Sequence, residues 1–270
     1  MKSSIPVDVV GGRDYNTQLI MELLSDNHFK VRRMPTIRGF WNKPRFLLGM
    51  MMRDYFYLIQ ATALLAFLRH GPGGKHLICH IVGTDALILQ EYMDELNRSM
   101  KKHSVQVLYA SENLRDELSL EGEVAPVPIK DWLFTPEGDR LWKEKRDTLF
   151  YCPDPYIYCA WDVDEYISDH GDEQVTILGL PPDAPSIPDY PNVMRLPKLP
   201  AEEMPKLYRS HKRLIRYTRH DGMPKMIYEA FLCGCEVWWN GSQITNMPDA
   251  MRWREGGRII AEIVRKHFEW

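Results

Sequence analysis

Short apolar, β-branched or aromatic runs alternate with amphipathic stretches along most of this chain, and that alternation restricts it to parallel α/β sheets. Strands are expected at Ile5–Val10, Phe29–Arg33, 55–59, His76–Val82, Thr148–Tyr151, Gln174–Leu178, Val193–Leu196, Leu214–Tyr217 and Cys235–Trp239. Between them the periodicity predicts helices around Thr17–Leu24, 45–52, 62–69, from Asp85 to about Lys101, 155–169, Pro200–Ser210 and 249–268. Ser111 is placed to cap the helix of SENLRDEL. The Pro-rich stretch 181–191 excludes regular structure and is read as a surface loop. Residues 130–147 are polar and turn-rich, which places a link there and divides the chain into 1–147 and 148–270.

The stretch LIRYTRHDGMPKMIYEAFLCGCEVWWN, residues 214–240, concentrates functional side chains in one loop. A buried strand is followed by Asp221-Gly222, Pro224 is suited to the first helical position, and Gly234 fits the helix stop. The helix start offers free N–H groups and the positive end of its dipole to an anion. Arg216, Arg219 and Lys225 are the cations around it, and the planar guanidinium suits phosphate. Asp221 and Glu229 lie eight residues apart. As an isolated pair they read as a helix-start Asp and a solvated Glu paired with Lys225.

Taken whole, this block resembles the nucleotide-sugar site of the GT-B glycosyltransferases, in particular the retaining family-four type. That family's pattern is Glu-Gly-Phe, a few apolar residues, then Glu-Ala-Met-Ala-x-Gly-x-Pro-Val; here stand Asp221-Gly222-Met223 and Glu229-Ala230-Phe231-Leu232-Cys233-Gly234-Cys235-Glu236-Val237. Asp replaces the first Glu, and Glu236 stands where Pro is common. The resemblance implies two Rossmann-like α/β domains facing each other across a cleft, with the last helix packing back on the first. It implies transfer of a sugar from a nucleoside-diphosphate sugar to an acceptor hydroxyl, with retention of configuration in the family's manner. The donor side would comprise Arg216, Arg219, His220, Gly222, Met223, Pro224 and Lys225, with Asp221 on the sugar hydroxyls and Glu229 on the ribose. LPKLPAEEMPKLY looks like the segment that receives the base, near Leu196 to Leu199. HIVGTDALIL resembles the acceptor-side loop, which makes Gly83 and Thr84 acceptor-side residues and Asp85 the candidate catalytic contact to the acceptor. On its own, Thr84 or Asp85 is equally a helix cap. Gly11-Gly12, after the first strand, allow close backbone approach to the donor, but a third Gly at dinucleotide-binding spacing is missing.

Several classes recede on composition and spacing. A net charge of −3 over 270 residues gives no electrostatic footprint of a nucleic-acid binder. The five cysteines (79, 152, 159, 233, 235) show no framework spacing, and Cys233-x-Cys235 reads as two buried thiols. Asp162-Val163-Asp164 matches the metal signature of the other major glycosyltransferase fold, yet it falls in a helical pattern where residues two apart share no face. No metal and no cofactor are therefore expected. The N-terminus lacks the pattern of a signal peptide, and the expected location is cytoplasmic, at the inner face of the membrane if the basic, aromatic stretch 40–69 is an interfacial stripe rather than core. The acceptor is open: a glycan, a lipid-linked group or a small molecule. Two rivals remain, a nucleotide-sugar epimerase of the same fold and a non-catalytic nucleotide-sugar-binding protein, the latter because the usual diphosphate-binding Arg and Lys have no match after Tyr151.

Overall fold

The computed structural model describes residues 6–11, 15–34, 50–59, 61–70, 72–83, 85–136, 146–181 and 187–268. In chain order the first series runs β1 (Pro6–Val10), α1 (Tyr15–Asp26), β2 (Lys30–Met34), β3 (Tyr55–Ile59), α2 (Ala61–His70), β4 (His76–Ile81), α3 (Asp85–Gln90), α4 (Met93–Met100), β5 (Ser104–Tyr109), α5 (Glu112–Leu118) and β6 (Glu123–Val124). The second runs β7 (Arg146–Tyr151), α6 (Ala160–Asp169), β8 (Val175–Leu178), β9 (Val193–Leu196), α7 (Met204–Arg209), β10 (His211–Arg216), α8 (Lys225–Leu232), β11 (Glu236–Trp239) and β12 (Ser242–Ile244), and the chain ends in α9 (Trp253–His267). The compact units are residues 1–129 with 249–270, and residues 130–248. The sequence boundary at 147/148 falls inside β7 of the second unit.

In the first unit six parallel strands lie in the order β2-β1-β3-β4-β5-β6. Strand alternation sends Val7 and Val9 to one face, where they meet Leu19, Ile20, Leu23 and Leu24 of α1. Trp253, Ile260, Ala261, Val264 and Phe268 of the closing segment complete that same core. Asp8 is buried, bonded to Arg53; burial raises its pKa against the pull of Arg53 and Arg32. Ser111 caps α5, its Oγ accepting the Leu114 N–H at 3.4 Å. The expected helix from Asp85 to Lys101 is two helices broken at Glu91-Tyr92. Of the stretch 40–69, β3 and α2 are core, with Phe56, Leu58, Leu64, Leu65 and Phe67 buried; residues 40–49 lie outside the described residues.

The second sheet has the order β12-β11-β10-β7-β8-β9, parallel except for the edge strand β12. Counted from β7, this is the doubly wound order, with β7 and β10 flanking the point where the winding reverses. β10 starts at His211 instead of Leu214, because the buried His211 ring is satisfied by Thr176 Oγ1 at 2.8 Å and the Leu207 carbonyl at 2.9 Å. α6 begins only at Ala160, after turns anchored by Asp154, which accepts the N–H groups of Tyr156 and Ile157. Gly234 (φ 82°) ends α8 as expected: the Cys235 N–H returns to Ala230 O at 3.0 Å and the Gly234 N–H to Phe231 O at 2.9 Å, a Schellman closure.

Candidate functional site

Open α/β sheets bind ligands beyond the carboxyl ends of the strands at the point where the winding reverses. In the second unit that point is the end of β7, Tyr151, beside the end of β10, Arg216. The chain leaves β10 through residues 217–224 and enters α8. Asn240 clamps this loop at its base, its Oδ1 accepting the Thr218 N–H at 2.8 Å and its Nδ2 donating to Thr218 O at 3.0 Å. Thr218 Oγ1 in turn donates to the His220 carbonyl at 3.0 Å.

Arg216 is 3% exposed. Its Nη2 donates to Asp221 Oδ2, and its guanidinium lies over the rings of Tyr158 (4.7 Å) and Tyr151 (5.1 Å). Burial lowers its pKa and the Asp221 carboxylate more than offsets this, so it stays cationic. Arg216 is thus the counter-ion of Asp221. Oδ2 of Asp221 is taken by that pair, and a carboxylate has lone pairs on its other oxygen for a further donor.

Pro224 is the N-cap of α8, not its first residue, and it makes no side-chain capping bond. In the first turn of α8 the Ile227 N–H bonds the Pro224 carbonyl at 3.2 Å, and Lys225, the first helical residue, is part-exposed. Glu229, one turn further, is 6% exposed, and Tyr208 donates to its Oε2 at 3.0 Å. Burial raises the Glu229 pKa, while Lys225 and the Tyr208 hydroxyl hold it down. Arg219 is exposed and lies over the Trp161 ring at 4.3 Å. Gly222 is buried in the loop, and Met223 Sδ accepts from the Tyr228 hydroxyl at 3.3 Å. Leu199 is half-buried in the irregular segment after β9.

In the first unit, Gly11 follows β1, and a Cβ there would run into the Thr17 hydroxyl of α1. Close packing of α1 is thus a sufficient reason for that glycine. Gly83 follows β4 with open space around its α-carbon, and its carbonyl accepts the Ala86 N–H at 3.0 Å. Asp85 is the first residue of α3. Gly12 and Thr84 lie outside the described residues. Asp162 and Asp164 sit on α6, and Asp164 accepts from the Tyr190 hydroxyl at 2.9 Å. Among the described residues no group of three or more His, Cys, Asp or Glu is arranged to hold a metal ion. All five cysteines are buried, and none forms a disulfide. Among the described residues no helix is long and apolar enough to cross a membrane.

Sequence reasoning missed Tyr151, Tyr158 and Tyr208, which hold Arg216 and Glu229. Only Tyr151 carried a signal, as the last residue of the strand that begins the second series.

No protein-family model matches the chain, and no curated protein sequence does. Solved structures do. Sucrose-phosphate synthase from Thermosynechococcus elongatus superposes with a TM-score of 0.67 at 12% identity, over 98% of this chain and 90% of the other. AviGT4, a glycosyltransferase involved in avilamycin A biosynthesis, gives 0.59 at 11% identity, over 98% and 96%. An α-glucosyltransferase in complex with UDP gives 0.57 at 11% identity, over 98% and 93%.

Proposed function

Starting from a chain with the GT-B glycosyltransferase fold, we propose that this protein transfers a sugar from a nucleoside-diphosphate sugar to an acceptor hydroxyl. The observation that carries the reading is the assembly at the reversal point of the second sheet: a helix start with no side-chain cap, Lys225, and two carboxylates held by dedicated partners. The α8 amides and Lys225 take the diphosphate, with Arg219 as the outer cation. Glu229 accepts from the ribose hydroxyls, and the free oxygen of Asp221 accepts from the sugar. As the glycosidic bond to phosphate breaks, charge grows on the departing diphosphate, and fixed amide dipoles with a cation stabilise it without a metal. Gly83, Thr84 and Asp85 serve the acceptor. Retention of configuration and a cytoplasmic setting belong to the same reading.

The Arg216–Asp221 pair also favours one rival. If Asp221 is wholly committed to Arg216, the protein binds a nucleotide sugar and turns nothing over. One experiment separates the two. The chain is incubated with UDP- and GDP-sugars in EDTA, and thermal shift is read beside release of nucleoside diphosphate. A shift with release supports transfer, a shift without release supports the binder, and no shift with any donor sinks both.

A further inference from the structure

A second concavity in this unit lies on the other face of the sheet from the Arg216 side chain. Arg216 lies against Met226 of α8, whereas Ile215 packs with Ala160, Val163 and Ile167 of α6. The parallel register sets Glu236 beside Arg213 and Trp238 beside Ile215, so both project onto the α6 face. There they border a cavity of about 270 Å³, walled by Tyr166, His170, Tyr217 and Trp238 with Arg213 and Glu236 among them.

Those walls are set before any ligand arrives. The Tyr166 ring stacks on His170 at 4.0 Å and 10°. Its hydroxyl donates to Glu173 at 3.0 Å and accepts from Arg213 at 3.0 Å. The Trp238 indole N–H donates to Glu236 at 2.8 Å, and Tyr217 stacks on Phe150 at 6.2 Å and 25°. Rigid aromatic planes beside fixed charged groups lose little freedom when something binds.

We propose that this cavity binds one pyranose unit of a saccharide, a tethering site apart from the donor loop. Charge decides against an anion: Arg213 is already paired with Glu173 at 3.1 Å, and Glu236 adds a negative group. A purely apolar occupant would strip water from Arg213 and Glu236 and return no hydrogen bonds. A sugar ring presents C–H faces to aromatic planes and hydroxyls that donate to a carboxylate and accept from a guanidinium. The volume sits just below the roughly 300–1,000 Å³ of pockets for drug-sized ligands, which suits a single ring. The site rests on the glycosyl-transfer reading for its use, to hold a saccharide near the enzyme, but not for its binding chemistry.

The test titrates the full chain with maltohexaose, cellohexaose and chitohexaose, with adenosine as the flat-ring control, up to about 10 mM, a range that reveals weak single-site binding. Saturation-transfer NMR and calorimetry give the affinity. At least one hexasaccharide is expected to bind. Trp238→Ala should weaken it at least about tenfold, the size of one lost good contact, and Trp238→Phe should restore most of the binding. Glu236→Gln, at an exposed position that does not threaten folding, should weaken it severalfold. The thermal shift with UDP should stay unchanged in all three, which separates this site from the donor reading. Binding of none of the sugars, binding untouched by Trp238→Ala and Glu236→Gln, or binding of adenosine alone overturns the proposal.

Discussion

Glu229 carries a carboxylate almost out of water, and the two functions of that group pull in opposite directions. Its folded pKa is raised by burial, so the stability it contributes is complete below the ordinary Glu pKa of about 4.3 and is lost as pH rises through the raised value. Glu229→Gln removes the buried charge and leaves an oxygen for Tyr208. We expect its Tm to match the wild type near pH 4 and to exceed it by a few degrees at pH 8 in thermal melts. The same variant should bind the nucleotide about tenfold to a hundredfold more weakly, since a hydrogen bond to a charged group contributes roughly 1.5–3 kcal/mol. A constant offset in Tm across pH, or an unchanged affinity by calorimetry, would remove the carboxylate from that role. Arg216 presents the complementary case. Arg216→Met leaves Asp221 without its counter-ion and should cost about 3–5 kcal/mol in urea unfolding, whereas a further Asp221→Leu change should recover much of the loss. Additive losses in the double variant would mean that the pair is not coupled. None of these partners was legible in the sequence. The Arg216–Asp221 pair spans one loop whose path depends on Asn240, and Tyr208 reaches Glu229 from a different helix. Residue types announced a site, but which groups hold one another is a product of packing.

Regular elements were more legible than contacts, and the failures have local causes. β8 and β9 fell where apolar pattern placed them, to within a residue. β10 is longer than its apolar run because hydrogen bonds satisfy the buried His211 and because Lys212 is exposed. β12 is a three-residue polar strand that exists only because β11 offers it an edge, and no periodicity marks so short a segment. In α9 two adjacent glycines, read alike from sequence, have opposite meanings. A Cβ on Gly256 would collide with the Ala250 carbonyl and stand 2.8 Å from Pro128 Cβ. One on Gly257 would meet Leu23 at 3.4 Å, an ordinary contact. Gly256→Ala should therefore destabilise by about 1–3 kcal/mol, and Gly257→Ala should stabilise by about 0.5–1 kcal/mol through helix propensity. Chemical denaturation of both variants checks the pair, and the same sign for both would refute the packing argument.

At the scale of the whole molecule, the labour is expected to divide between the units. Asp85→Asn should reduce transfer with nucleotide affinity nearly unchanged, while Lys225→Ala weakens the nucleotide directly; steady-state kinetics beside calorimetry distinguishes them. Equal loss of nucleotide affinity in both would end that division. A chain cut after Pro248 removes Trp253, Ile260, Ala261, Val264 and Phe268 from the first core and should be recovered as aggregate. That core has a consequence in time. Its strands are synthesised before residue 130, yet the helix that covers them follows residue 248, with an entire α/β unit in between. During synthesis the later unit has its full set of strands while the earlier core still lacks the Trp253, Ile260, Val264 and Phe268 side chains that complete it. Translation speed across residues 130–248 therefore sets how long that apolar face stays unprotected, and slow codons there would favour aggregation of a chain whose finished form has nothing wrong with it.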